Sequence, residues 1–144
     1  MYFVKDEITA NFKFSEFACD EKLFSSATFI RFVFLVLQPF REWYKRPINI
    51  NGYGGYRDVA INAQVGGDYN SLHLVAQAID FNLPVAFSGY SSSRKSEFLA
   101  NVKEKWFSLC RSAGGFGQMT VHDGWVHMGF SLHREYYDDR RKYK

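Results

Sequence analysis

Apolar residues recur at helical spacing early in the chain: Phe29, Phe32, Val33, Val36, Leu37 and Phe40 fall on one stripe. The pattern predicts a helix capped by Ser26 or Thr28 and running to about Lys45. Pro39 lies inside it. Proline has no N–H and crowds the carbonyl four residues back, so a kink or interruption is expected there. A second stripe, Phe98, Val102, Trp106 and Leu109, predicts a helix from about Ser93 to Arg111, ended by Gly114-Gly115. A shorter helical piece is expected through Asn62 and Gln64, closed by Gly66-Gly67.

Other stretches read as extended. Pro47 to Asn51 predicts a short strand and Val75 to Phe81 another. Phe116–Val121 and Trp125–Phe130 predict a hairpin turning at His122-Asp123-Gly124, because Asp-Gly is a strong turn signal. Alternation puts Val126, Met128 and Phe130 on one face of the hairpin, the evident core face, and Trp125, His127 and Gly129 on the other. Ile8 to Cys19 reads as irregular, with Phe12, Phe14 and Phe17 docking on the core. Helices and antiparallel strands in separate runs predict an α+β fold with a small antiparallel sheet.

At 144 residues this is one domain's worth of chain, so residues 1–144 are expected to form a single domain, acting as a monomer. Aromatic residues make up 19%, which asks for a large core or a site that uses rings. Two cysteines, Cys19 and Cys110, make no disulfide framework and read as small buried residues. The net charge of +3 is mild, and the basic residues cluster only in a tail at about 134–144, so nucleic-acid binding is not expected. The longest apolar run, Phe32–Leu37, is far short of the ~20 residues of a membrane span, so no membrane insertion is expected. The N-terminus lacks the basic start and apolar stretch of a signal peptide.

Chemistry has few carriers, since the chain has only 4 histidines. His73 lies just before the predicted strand and Asp80 near its end, and His127 sits on the non-core face of the hairpin. Two His and one Asp form a usual catalytic zinc set, leaving a position open for water. On one flat strand, positions 73 and 80 would point to opposite faces. The set therefore requires a bend near Leu74 to Ala76. There is no HExxH motif, and the cysteines are not spaced for a zinc finger.

In chain order, the segments Gly55-Tyr56-Arg57, Asn62, Val65-Gly66-Gly67, Ser71-x-His73, Ala78-x-Asp80, Gly114-Gly115-x-Gly117 and Trp125-Val126-His127 resemble the M15 family of zinc peptidases. This is the D-alanyl-D-alanine carboxypeptidase-like group, and its short single-domain branch is the nearest in pattern. The resemblance spans about residues 9–130. It implies the fold shared with the hedgehog signalling domain, and zinc held by His73, Asp80 and His127. It implies substrate contact by Ser71, or else only a local hydrogen bond there. Arg57 falls where the family has an Arg facing the substrate, to stabilise an oxyanion; the plain alternative is an ion pair with Asp58.

The implied activity is hydrolysis of peptidoglycan stem peptides at a bond involving a D-amino acid, through a metal-activated water. Asp123, in the hairpin turn, is the candidate general base, with His122 as an alternative proton carrier. The absence of a signal peptide agrees with a phage lysin or virion-associated protein made in the host cytoplasm. Two positions depart from the family pattern. Ala76 replaces a Gly, which is harmless only where φ is negative. Gly129 replaces an Asp two residues after the last His. If that Asp orients a ligand, its loss weakens the site, and a wall-binding or virion structural module with little or no catalysis is the alternative.

Overall fold

The structure, a computed structural model, describes residues 6–17, 26–67, 69 and 71–132. Cys19, His133 and the basic tail lie outside the described residues.

Phe12, Phe14 and Phe17 are buried as expected, the last two in a short 3-10 turn, Phe14–Phe17. Next comes one long helical stretch in three parts: α1 (Ala27–Phe32), a π-helical segment (Val33–Leu37) and α2 (Gln38–Tyr44). Ser26, not Thr28, is its cap, its hydroxyl accepting from the Phe29 N–H at 3.2 Å. Pro39 does not break the helix. The turn before it widens, so that the Gln38 N–H reaches the Val33 carbonyl, and the wider turn makes room for the proline ring. Lys45, at φ 58°, ends the stretch.

Asp58 caps α3 (Val59–Gln64), accepting from the Ile61 N–H at 2.8 Å. A 3-10 turn, Leu72–Val75, follows, and then Ala76 at φ 56°. Only after this left-handed residue does β1 (Ala78–Asn82) begin. The expected strand from Val75 thus starts later, because the chain must first reverse its local twist. The expected strand over Pro47 to Asn51 reduces to a single bridge, Ile50 to Phe81. It lies along the edge of β1 and bonds to it through Asn51 N–H to Asp80 O and Asn82 N–H to Asn49 O; past the turn at Gly52 the Gly54 carbonyl accepts from the Asp80 N–H.

The long helix α4 (Ser92–Ser112) buries Val102, Trp106 and Cys110, while Phe98 and Leu109 are half-buried beside the core. Burial pushes the Cys110 thiol up to about 12, so it is an inert packing group. The hairpin forms as predicted, from β2 (Phe116–Val121) and β3 (Trp125–Ser131), with Gly124 at φ 81° in the turn. The antiparallel sheet has the order β1-β3-β2, so the last strand is the central one.

The core lies between this sheet and the helices. Trp106 is fully buried, with the rings of Phe32 and Phe40 edge-on to it at 6.0 and 5.3 Å. Each such ring contributes roughly 1.5–3 kcal/mol by leaving water. Among the described residues, ten aromatic side chains are buried in this core.

Candidate metal centre

The sheet register sets Asp80 of β1 directly opposite His127 of β3. The 3-10 turn and the left-handed Ala76 carry His73 back over the same face, which resolves the parity conflict between positions 73 and 80. The three side chains meet: Asp80 Oδ1 lies 3.1 Å from His73 Nε2 and 2.9 Å from His127 Nδ1, and the two nitrogens are 3.2 Å apart. All three residues are buried, at 1, 3 and 4% exposure for His73, Asp80 and His127. Among the described residues this is the one group of His, Cys, Asp or Glu side chains able to share an ion.

The outer ring nitrogens are also engaged. His73 Nδ1 faces the Gly55 carbonyl at 2.7 Å, and His127 Nε2 faces Gln118 Oε1 at 3.0 Å. An acceptor on each side requires an N–H there, so in the neutral rings the inward nitrogens carry lone pairs. Three lone-pair atoms then converge with no hydrogen between them, an arrangement that a cation relieves. Their separations also suit zinc. Bonds of about 2.0–2.1 Å in a tetrahedron place donors about 3.3 Å apart, close to the 2.9–3.2 Å found.

The electrostatics agree. Burial on its own would raise the Asp80 carboxyl, but the pull of the His127 and His73 rings facing it outweighs burial and holds the group well below the usual carboxylate range. Burial lowers the His73 pKa, against the pull of Asp80, and so favours the neutral ring that a metal needs.

Arg57 belongs to the site and not to Asp58. Its Nη2 donates to Asp80 Oδ2 at 2.9 Å, its Nη1 to Asn62 Oδ1 at 3.2 Å and its Nε to the Tyr53 carbonyl at 2.7 Å. Asn62 is fully buried, and its amide fills the space beside Gly67. A Cβ on Gly67 would overlap the Asn62 amide oxygen. The Asn and the Gly-Gly of the motif thus cooperate to hold the arginine.

Ser71 is buried and makes the local bond, its Oγ accepting from the His73 N–H at 3.2 Å. Asp123 and His122 are not brought to the cluster. Asp123 is exposed in the turn, ahead of the start of β3. The His122 ring stacks flat on Trp125, centroids 3.8 Å apart. The sequence reading missed Gln118 and gave Asn62 no role. Only Asn62 left a trace, through its fixed spacing ahead of Gly66-Gly67.

The fold and the site together define an α+β domain with a buried His-Asp-His centre of the type used by hydrolytic zinc enzymes. A family model described as Peptidase M15 matches residues 2–129, and the chain belongs to that family. It is thereby a metallopeptidase by family, with a peptide as substrate. Searches of curated proteins and of solved structures each returned no match. No helix among the described residues is long and apolar enough to cross a membrane.

Proposed function

We propose that the protein is a zinc peptidase that cleaves peptidoglycan stem peptides at a bond involving a D-amino acid, serving a phage in lysis or wall penetration. The observation that carries the metal assignment is the convergence of His73 Nε2, Asp80 Oδ1 and His127 Nδ1 with both outer ring nitrogens already engaged. The wall substrate rests on the sequence resemblance.

Zinc bound there would activate water and polarise the scissile carbonyl. The chain's own residues do the rest. Gly55 and Gln118 fix the two rings, and Arg57 occupies the second oxygen of Asp80, leaving Oδ1 for the ion. The Arg57 guanidinium, beside the centre, supplies positive charge where an oxyanion develops.

The test is to purify the protein, measure its zinc content, and incubate it with peptidoglycan while following released fragments by mass. Zinc near one per chain, with release abolished in His73→Ala, is the expected result. Zinc binding without release by the wild type leaves a non-catalytic wall module, and no zinc uptake refutes the metal assignment.

A further inference from the structure

We propose that Gln118 is the positioning residue that holds His127 in its ligating orientation, delivering from the neighbouring strand the acceptor that Gly129 does not carry. The proposal rests on the zinc reading of the site and goes beyond it.

Gln118 and Gly129 are directly paired across β2 and β3. Paired residues share a face of the sheet, as do residues two apart on a strand, so Gln118, Gly129 and His127 all lie on the ligand side. Gln118 is 3% exposed, and its Oε1 accepts from His127 Nε2 at 3.0 Å. A buried polar side chain so placed fixes both the tautomer and the tilt of the ring.

The geometry at Gly129 ties the two positions together. A Cβ built there would sit 2.7 Å from Gln118 Oε1 and 2.8 Å from Leu72 Cδ1. An aspartate carries its carboxylate oxygens about 2.4 Å from its own Cβ, two bonds away. The Gln118 oxygen therefore lies at the distance from position 129 at which an aspartate would hold its own. The two side chains exclude each other, and the glycine makes room for the glutamine. The acceptor on His127 is thereby neutral, and this ring is a weaker base than one backed by a carboxylate.

The experiment measures zinc affinity of the full chain by competition with a chelator, with circular dichroism reporting the fold. Gln118→Met keeps the length and removes the acceptor; it should bind zinc about 10–100-fold more weakly. Gln118→Glu restores an acceptor and should bind at least as tightly as wild type. The swap Gln118→Ala with Gly129→Asp should recover most of what Gln118→Ala alone loses. A folded Gln118→Met with wild-type affinity overturns the proposal while leaving the zinc site intact. So does a tenfold loss in Gln118→Glu, which decides the matter should Gln118→Met fail to fold. A wild type that takes up no zinc overturns the site reading and this proposal together.

Discussion

Arg57 and Asp80 divide one carboxylate between them: the guanidinium takes Oδ2 at 2.9 Å, and Oδ1 is left facing the two imidazoles. The arginine therefore aims the ligand as well as lending charge. Arg57→Ala should weaken zinc binding by about 10–100-fold, as loss of an outer partner commonly does, and should lower turnover further. Chelator competition measures the first effect and peptide release the second. Unchanged zinc affinity would mean that Asp80 is held without its partner.

Asn62 holds Arg57, and Gly67 leaves room for Asn62. Gly67→Ala should cost about 1–3 kcal/mol, the usual range for overpacking a filled site. Its effect on activity should be strongly non-additive with Arg57→Ala, because both disturb the same group. A double-mutant cycle on denaturant midpoints and on peptide release checks this, and simple additivity would count against the linkage.

Ala76 sits at φ 56° with its methyl group buried. A left-handed conformation costs a non-glycine residue about 1–2 kcal/mol. Glycine there would forfeit up to about 0.8 kcal/mol of methyl burial and roughly 0.5–1 kcal/mol to the greater freedom of the unfolded chain. The terms nearly cancel, so Ala76→Gly should leave Tm within about 4 °C of the wild type, and a larger rise or fall in a thermal melt would show that one of them dominates.

Removal of the metal should make the fold acid-sensitive. Burial lowers the His73 pKa below its ordinary 6.5, so the unfolded chain binds a proton there that the folded chain refuses. Stability from this group is complete above about pH 6.5 and declines as pH falls below it. Asp80, held below 3.8, adds a second decline of the same sign under that value. Urea midpoints of chelator-treated protein between pH 8 and 5 measure the first decline, and a flat profile would contradict it.

Local signals carried much of the fold. The hairpin was legible because Asp123-Gly124 and the alternation from Trp125 to Phe130 point the same way. α4 was legible from its stripe. The strand over Pro47 to Asn51 misled because an extended apolar alternation does not say how many partners it will find, and here it finds one bridge. Of the site, the motif order marked His73, Asp80, His127 and Arg57, and the parity of 73 and 80 demanded the bend that Ala76 supplies. The positive φ there was not legible, since alanine does not advertise it. Gln118 was invisible for a different reason: its role exists only through pairing with Gly129, a contact between strands that no single stretch of sequence encodes.

The strand order carries a consequence for biosynthesis. β3 is the last strand to leave the ribosome and the only one that hydrogen-bonds to both others. Until it emerges, β1 and β2 have no sheet to join, and His73 and Asp80 wait for a third donor that has not been made. The three-residue group can therefore close only after β3 has emerged. A nascent chain halted in the His122-Asp123-Gly124 turn would hold most of the core residues and still lack His127.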